Sequence, residues 1–490
     1  MWLWVIILCI LISFLVALLS GSLQIKRNMR ADATLDEFKA HMDDRIPALM
    51  ELYRIPGCNI ALVKDRKIVW TQAYGYADVE SGRALTVDTP MSVQSITKSI
   101  TAWGVMRLAE KGLIDLEAPL SQYLKSWQLP QSDYPAEEIT IRQLLSHTAG
   151  MPLGDFTNVY APGDVMPTNR DVMNGEALLM REPGTEFSYS NVGFNILEIM
   201  IEEVTGQRFS EYIRTEILLP LGMENAAFDI DIAAAAYLPT AYNLNKESVP
   251  VYLYPSKASG GLFATAHDIA RFTTAGMKEN PVLKAESIDR MYQSECNNIG
   301  IYGLVFDGYG FGHYLEVLPN GMLSVSHGGQ GNGIMTHFHA VPETGDAIVI
   351  LTNSQRSWPL FAYVLSDWAH WRAFPSVGMG RIIWGHYGLS AVIGILISAS
   401  LLLQLRLITG FYRQKRAGFR WFKMGVAILL FGILIWCAFQ KYLIVSSIFP
   451  TLTIWLGGAV LALSITLLLS ASLPLQGRRK MHHENPQNKK

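Results

Sequence analysis

Four long apolar runs constrain how this chain of 490 residues can fold. Each run is close to the length of about 20 residues that a helix needs to cross a bilayer. The runs cover residues 2–19, 383–405, 424–446 and 449–472. Since all four lie towards the two ends, the sequence predicts three parts: a leading segment (1–30), a polar domain (31–375) and a region of three transmembrane helices (376–490).

The first run fits either a membrane anchor or a cleaved signal peptide. It lacks the basic residues that usually precede the apolar part of a signal peptide, and Ser20-Gly21-Ser22 is only a passable cleavage site. These features favour a signal anchor that stays attached to the protein. A signal peptide remains the alternative.

Basic side chains are concentrated around the last three runs. From Ser376 onward the chain has thirteen Lys and Arg residues and one acidic residue, Glu484. Because basic loops are retained in the cytoplasm, the loop between the second and third runs and the tail are predicted to be cytoplasmic. The domain would then lie outside the cell membrane, in the periplasm or at the outer face. Lys26, Arg27 and Arg30 follow the first run and oppose this orientation, but the C-terminal asymmetry is larger.

The predicted domain is acidic. Residues 31–375 have a net charge near −17, which argues against nucleic acid as a partner. Cys58 and Cys296 lie in this domain, where they could form a disulfide or remain free thiols. No spacing of Cys and His residues resembles a zinc site, so we expect neither a metal ion nor another cofactor.

The domain has the pattern of a mixed α/β (α+β) fold. Two apolar runs separated by a polar turn predict a hairpin of residues 58–63 and 67–70. Residues 140–235 are predicted to be mainly helical, and strands return at residues 323–326 and 347–351. Strands at both ends predict one antiparallel sheet that is flanked by helices and closed by both ends of the domain, with an all-helical subdomain inserted.

Two helices can be bounded by the residues at their ends. One is predicted to open at Ser95 and to run to about Lys111, where Gly112 ends it. A second one covers about residues 195–204 and stops at Gly206. The first of these helices carries a pair of reactive side chains.

Three short motifs carry the candidate chemistry. In Ser95-Ile96-Thr97-Lys98, residues three apart share one helix face, so the Lys98 amine can reach the Ser95 hydroxyl. A lysine whose pKa is lowered by burial can activate a serine without a histidine. Tyr189-Ser190-Asn191 would supply a base, and His327-Gly328-Gly329 a strand rich in donors. Taken singly, Ser95 also fits a helix N-cap, Lys98 a solvated side chain and Tyr189 a core residue.

The order Ser-x-x-Lys, Tyr-x-Asn, His-x-Gly resembles that of the serine β-lactamase and penicillin-binding-protein superfamily, on its class C and esterase-like side. The resemblance covers about residues 35–372. It extends to the flanking phrases Leu144-Leu145-Ser146-His147-Thr148-Ala149-Gly150, Glu182-Pro183-Gly184-Thr185 and Ala258-Ser259-Gly260-Gly261-Leu262. It implies a β-lactamase/transpeptidase-like fold and a serine hydrolase.

The resemblance also implies roles for the first two motifs. Ser95 would be the nucleophile, Lys98 would help to remove its proton, and Tyr189 would be the base or the proton shuttle to the leaving group. We expect the Tyr189 phenol to ionise more easily than usual, because two cationic groups would lie near it. Asn191 would hydrogen-bond Lys98 and the acyl amide of the substrate.

The third motif would bind the substrate. His327 stands where many relatives carry a lysine, and it would donate to a substrate carboxylate or to Tyr189. Gly329, with its neighbour in the motif, would let the substrate approach the strand closely. The backbone N–H of Gln330 would be the second oxyanion donor beside that of Ser95. His147 would be a structural, hydrogen-bonding histidine.

A domain of this type followed by three membrane helices resembles the membrane-bound prodrug-activating peptidases, among them the colibactin-maturing enzymes. Those peptidases remove an N-acyl-D-asparagine cap, and the run Ser326-His327-Gly328-Gly329-Gln330 matches them closely. The asparagine-reading groups differ, because Ser92, Asn191 and Gly331 stand where a glutamate, a serine and an asparagine are found. The catalytic residues therefore carry over, whereas the asparagine specificity does not.

The sequence thus predicts a membrane-bound, extracytoplasmic serine peptidase or amidase that acts on acyl-D-amino-acid or peptide substrates. An esterase or D,D-carboxypeptidase of the cell envelope is the alternative. A penicillin-recognising sensor is disfavoured, because such sensors place the domain after their membrane helices and carry a zinc protease motif. The membrane helices could serve as an anchor alone, or they could meet a transporter or a second copy of the protein.

Overall fold

The computed structural model describes residues 2–23, 30–31, 33–412, 420–440 and 442–472. The chain divides into two compact units. One unit comprises residues 26–383, and the other comprises residues 1–25 and 384–490. The larger unit, called the catalytic unit below, contains all three motifs. Most of the basic residues that predicted the membrane orientation, such as Lys415, Arg416 and Arg479, lie outside the described residues.

The described strands all belong to the catalytic unit. They are β1 (Gly57–Lys64), β2 (Lys67–Asp78), β3 (Arg83–Ala84), β4 (Met91–Ser92), β5 (Ala241–Tyr242), β6 (Ser248–Val249), β7 (Phe263–Ala264), β8 (Gly308–Tyr309), β9 (Tyr314–Val317), β10 (Leu323–Gly331), β11 (Ile334–Val341) and β12 (Asp346–Thr352).

The described α-helices belong to both units. They are α1 (Trp2–Leu19), α2 (Leu35–Tyr53), α3 (Thr97–Glu110), α4 (Ile141–Leu145), α5 (Asn169–Glu176), α6 (Asn191–Thr205), α7 (Phe209–Ile213), α8 (Ile232–Ala235), α9 (Ala266–Ala275), α10 (Ala285–Met291), α11 (Trp358–Trp371), α12 (Arg381–Tyr412), α13 (Arg420–Ala438), α14 (Ile444–Ile448) and α15 (Thr453–Ser472).

Eight strands form one antiparallel sheet in the order β3-β2-β1-β12-β11-β10-β9-β8. The N-terminal hairpin joins the last strand directly, with Ile60 opposite Ile350. Its turn is made by Asp65 and Arg66, which both have positive φ, as a tight hairpin turn requires. The predicted fold class, a sheet closed by both ends of the domain, is therefore confirmed. The strand predicted over residues 323–326 is longer than expected.

Helices cover both faces of this sheet. Phe338 of β11 lies 6.2 Å from Phe272 of α9, measured between ring centroids. The next residue, His339, lies 5.8 Å from Trp368 of α11. Because successive side chains of a strand point to opposite faces, α9 and α11 lie on opposite sides of the sheet. The largest buried apolar cluster is on the α9 side and includes Trp103 of α3.

The inserted segment differs from its prediction. Residues 140–235 contain α6, the short helices α4, α5, α7 and α8, and a π-helical turn (Arg214–Leu218), but residues 146–168 form an irregular stretch without helix. This stretch contains several glycines and prolines, which interrupt helical hydrogen bonding. Helix α6 agrees with expectation: the Ser190 side chain accepts from the Gly193 N–H at its start, and Gly206 ends it with φ near 68°.

The second unit contains the apolar helices. Three of its described segments are long and apolar enough to cross a membrane, namely Gly378–Gly410, Trp421–Ala438 and Thr453–Ser472, the first of which begins within the catalytic unit. The first run forms the apolar helix α1. The predicted run 424–446 is wrong at both ends: α13 begins at Arg420 and ends at Ala438, and the short helix α14 follows. The polar residue Gln440 lies at this break.

The cysteines and the acidic residues give no sign of a cross-link or a metal. Cys58 is buried in β1 and Cys296 is partly buried, and both are free thiols, as are Cys9 and Cys437. Among the residues that the structure describes, no group of His, Cys, Asp and Glu side chains is arranged to hold a metal ion.

The hairpin strand β2 contains a glycine that no other residue can replace without strain. Gly75 has φ near +77°, and a Cβ atom there would lie 2.1 Å from the carbonyl oxygen of Pro56. We expect Gly75→Ala to lower the free energy of unfolding by about 3 kcal/mol, since backbone strain and overpacking add. Gly82→Ala is the control, because Gly82 has φ near +70° but no atom within 4 Å of the added Cβ, so only about 1 kcal/mol is expected.

Thermal unfolding of the two purified variants in detergent would check this difference. Equal losses of melting temperature for Gly75→Ala and Gly82→Ala would show that the close approach to Pro56 does not constrain the hairpin.

Candidate active site

Ser95 lies in a short 3₁₀ turn, Gln94–Ile96, directly before α3. Gln94 has φ near 51°, an uncommon conformation for a residue with a side chain. Its carbonyl accepts from the Thr97 hydroxyl at 2.6 Å, and the carbonyl of Val93 accepts from the Thr336 hydroxyl at 2.8 Å. The turn that presents the serine is therefore held both by α3 and by strand β11.

Lys98 is completely buried one helical turn after Ser95. Its Nζ atom lies 3.1 Å from Ser95 Oγ, 2.8 Å from Asn191 Oδ1 and 2.7 Å from the carbonyl oxygen of Ser259. None of these partners is a carboxylate. Burial without a counter-charge lowers the pKa of Lys98 well below its usual value, so the neutral amine is favoured.

Tyr189 lies against both residues of this pair. Its ring centroid is 5.0 Å from Lys98 Nζ, and its hydroxyl is hydrogen-bonded to the Ser95 side chain. The expected easier ionisation of this phenol is wrong. Burial raises the pKa of Tyr189 above its usual value, and the hydrogen bond with Ser95 opposes this effect only in part. The basic side chains nearby, Lys98 and His327, both have pKa values lowered by burial.

His147 positions the segment that carries Tyr189. Its Nδ1 atom accepts from the Ser190 N–H at 3.2 Å, and its carbonyl oxygen accepts from the Ser188 N–H at 2.7 Å. The imidazole ring also lies 4.4 Å from the Tyr189 ring, between centroids. The structural role predicted for His147 agrees with these contacts. These contacts explain why the sequence motif around His147 occurs together with the tyrosine motif.

The sequence did not reveal how the Ser259 carbonyl is held. The buried carboxylate of Glu198 on α6 accepts from the N–H groups of Lys257 at 2.6 Å and of Ala258 at 2.8 Å. These bonds fix the loop whose next carbonyl contacts Lys98. Burial raises the pKa of Glu198 to about 7. The sequence motif at residues 258–262 indicated that this loop belongs to the site, whereas no local sequence pattern indicated a role for Glu198.

Strand β10 carries the third motif beside the nucleophile. The pairing with β9 ends at Ser326, so residues 327–331 pair with β11 alone among the described strands. A Cβ atom on Gly329 would lie 2.3 Å from the Val93 carbonyl oxygen and 2.8 Å from Gln94 Cβ. The bare backbone of Gly329 thus lets the strand approach the Ser95 turn. Gln330 is exposed on the same segment.

His327 has a different environment from the one expected. Its side chain is completely buried, with Nε2 3.2 Å from the Tyr309 hydroxyl and Nδ1 2.8 Å from the Gly328 carbonyl oxygen. Both ring nitrogens therefore have partners within the protein. Its ring centroid is 6.3 Å from that of Tyr189. His327 contributes to an aromatic wall and does not present a nitrogen to a substrate carboxylate.

This aromatic wall was not predicted. Tyr302 and Tyr314 lie with ring centroids 5.6 and 6.4 Å from that of Tyr189. Tyr309 lies 4.8 Å from Tyr314 and closes the wall toward His327. The three tyrosines come from one segment, residues 302–314, that has no recognisable motif. The wall lowers the local dielectric constant around the phenol of Tyr189, which is consistent with its raised pKa.

A cavity of about 420 Å³ is lined by residues that contact Gln94 of the Ser95 turn. Ser92 and Tyr252 line it, and the Gln94 side chain donates to the hydroxyls of both, at 2.8 and 3.4 Å. Tyr254, Gly260 and Gly261 also line the cavity. Gln94, the neighbour of Ser95, therefore contacts two residues that line a space large enough for a side chain or a small acyl group.

A family model described as Beta-lactamase matches residues 42–363. The chain belongs to the beta-lactamase family. This confirms the superfamily resemblance, and the chain is accordingly a serine hydrolase.

Relatives of known identity agree with this assignment. Penicillin-binding protein 4* of Bacillus subtilis (strain 168) is 26% identical over 344 residues, which are 65% of this chain and 72% of that protein. The octameric penicillin-binding protein homologue from Pyrococcus abyssi superposes with a TM-score of 0.61 at 24% identity, covering 73% of this chain and 81% of that one. D-alanine carboxypeptidase AmpC from Burkholderia cenocepacia has a TM-score of 0.55 at 20% identity, with 66% and 95% covered. The two structures show that the fold is shared.

The close approach of β10 to the Ser95 turn can be tested with adjacent glycines. We expect Gly329→Ala to slow the reaction of Ser95 with a fluorophosphonate by about 100-fold, because a displacement of about 1 Å is enough to misplace a catalytic group. Gly328→Ala is the matched control, since its added Cβ would meet no atom closer than 3.3 Å. The second-order labelling rates of both variants would decide. Equal rates would show that Gly329 does not set the geometry.

Proposed function

We propose that the protein is a membrane-bound, extracytoplasmic serine peptidase or amidase that forms an acyl-enzyme on Ser95 and acts on acyl-D-amino-acid or peptide substrates. The observation that carries the proposal is the set of three contacts around the Lys98 amine. The apolar helices support the placement in the cell membrane, because three described segments are long enough to cross it.

The contacts of Lys98 define where its lone pair points. A neutral amine has two N–H groups and one lone pair. The Asn191 Oδ1 atom and the Ser259 carbonyl oxygen can only accept hydrogen bonds, so they use both N–H groups. The lone pair then remains for the third partner, the Ser95 hydroxyl, 3.1 Å away. Lys98 is thereby the base that removes the serine proton.

The reaction follows from these protonation states. As Ser95 Oγ bonds to the substrate carbonyl carbon, its proton moves to Lys98, and the backbone N–H groups of Ser95 and Gln330 receive the oxyanion. Tyr189, which burial keeps protonated, donates its proton to the leaving nitrogen as the C–N bond breaks. The Lys98 ammonium then returns a proton to the phenolate. Water releases the acyl group by the same steps in reverse.

Two observations support as the substrate an amide that carries a side chain on its acyl part. Cleavage of an amide needs a proton donor for the leaving amine, and a protonated Tyr189 supplies one, whereas an ester needs it less. The cavity beside Gln94 provides room for the side chain of the acyl part. Among similar proteins, the Burkholderia structure is a D-alanine carboxypeptidase. Assay of acyl-D-amino amides, acyl-D-Ala-D-Ala and simple esters would separate the amidase from a carboxypeptidase and an esterase.

Labelling of the serine provides the first test. In detergent-solubilised membranes we expect a tagged fluorophosphonate to label the wild type, and the label to disappear in Ser95→Ala and Lys98→Ala. Ser121→Ala is the control, because Ser121 is an exposed serine remote from the motifs in the sequence. Gel fluorescence measures the label. Absence of label on a folded wild type, or persistence in Ser95→Ala, would contradict the mechanism.

The pH dependence tests the state of Lys98. Because burial lowers the pKa of Lys98, the neutral amine persists to a lower pH than in an exposed lysine, and activity should fall as the pH decreases through the lowered pKa. A kcat/KM profile with one acidic limb is expected. Glu198 has a pKa of about 7 and could produce a similar limb, so the profile of Glu198→Gln is the control. The limb should persist in that variant. Activity that appears only above a pH of about 10, the usual range of lysine, would overturn the assignment.

A further inference from the structure

We propose that the loop of residues 299–306 contacts the lipid bilayer through Ile301 and Leu304, so that one wall of the active site lies at the membrane surface. A substrate with an apolar leaving group would then reach Ser95 while that group remains in the lipid. The substrate part rests on the proposed function, whereas the contact with lipid stands on its own observations.

The first observation is the attachment of this loop to the start of an apolar helix. The Arg381 guanidinium donates to the Leu304 carbonyl oxygen at 3.1 Å, and the Gly378 N–H donates to the Glu316 carboxylate at 2.6 Å. A Cβ atom on Gly378 would lie only 1.8 Å from the Val305 carbonyl oxygen. Arg381 is the first residue of α12, and the apolar segment that contains it is long enough to cross a bilayer. The loop therefore lies where the chain would enter the membrane.

The second observation is the composition and exposure of the loop. Residues 299–306 contain no charged side chain. Ile301 is 61% exposed and Leu304 is 67% exposed. Val317, whose N–H donates to the Asp307 carboxylate at the end of the loop, is 59% exposed. Large aliphatic side chains that share one exposed site next to a membrane helix are stabilised by contact with lipid.

Charge favours the same surface. The acidic domain as a whole would be repelled by anionic headgroups, so only an uncharged part of it can approach them closely. The loop is such a part, and Arg381 beside it can pair with a lipid phosphate while its stem lies on apolar groups.

The third observation connects this loop to the active site. Tyr302 lies between the two exposed aliphatic residues in sequence, and its ring packs 5.6 Å from Tyr189 and 5.4 Å from Tyr314. The same short segment thus presents apolar side chains to the outside and an aromatic ring to the catalytic tyrosine. A lipid-facing loop would place the leaving-group side of the site near the acyl-chain region of the membrane.

Spin labels would measure the contact directly. The full-length protein, with its four cysteines replaced by serine, would be labelled at Leu304→Cys and reconstituted into phosphatidylcholine liposomes. We expect this label to collide more with dissolved oxygen and less with a water-soluble nickel complex than a label at Leu113→Cys. Leu113 is the matched control, because it is 51% exposed and follows α3, away from the apolar helices in sequence. Equal accessibility of the two labels to the nickel complex would overturn the proposal.

Kinetics in the same liposomes would test the substrate consequence. We expect the double variant Ile301→Ser/Leu304→Ser to lower kcat/KM by about tenfold for an acyl-D-amino amide whose leaving amine carries a long alkyl chain, since two aliphatic side chains are lost from the lipid contact. Turnover of a short, water-soluble analogue should not change. Leu113→Ser/Leu219→Ser is the control, with two residues of similar exposure. An equal loss for both substrates would contradict entry from the lipid.

Failure of the proposed function would look different. Fluorophosphonate labelling of Ser95 in each liposome sample reports whether the active site is formed. If that label is absent while the Leu304 label still reports lipid, the serine mechanism is wrong and the membrane contact holds.

Discussion

The position of the Lys98 amine determines the chemistry of this site. Its three partners come from three separate parts of the chain: the turn before α3, the first residue of α6 and the loop after β6. Each partner is held by its own support, which is β11 for the turn, His147 for the tyrosine segment and Glu198 for the loop. Because the amine is buried, water does not replace a partner that moves. The packing of these elements thus becomes a condition for a reactive serine.

Burial also sets the protonation of the whole site. The same loss of hydration lowers the pKa of Lys98 and of His327 and raises that of Tyr189. Burial therefore favours the uncharged form of all three groups. In the proposed mechanism, charge develops only when Ser95 attacks, as an oxyanion and an ammonium that attract each other in a medium of low dielectric constant. In that mechanism, separated charges are present in the site only in the transition state.

Much of this arrangement could be predicted from the sequence, because it depends on local patterns. Helical spacing placed Lys98 beside Ser95, and alternation of apolar residues bounded the β1–β2 hairpin. The protonation of Tyr189 could not be predicted in this way, because it depends on Tyr302 and Tyr314, which are distant in sequence. The prediction for the His327 side chain was wrong for the same reason, because the Tyr309 hydroxyl that contacts its ring lies on another strand. The prediction of helix for residues 146–168 was wrong, because the helical patterns on either side were given more weight than the glycines and prolines within this segment.

The pairing of β1 with β12 has a consequence for how the protein folds during its synthesis. These two neighbouring strands come from opposite ends of the domain, so the hairpin has no partner until almost all of the domain has been synthesised. Contacts of such high sequence separation form slowly, because a long loop must close first. Until then the apolar face and edge of the hairpin are open to aggregation. The chain must therefore be kept from aggregating during synthesis, and the first apolar segment after the domain emerges soon after the strand that completes the sheet.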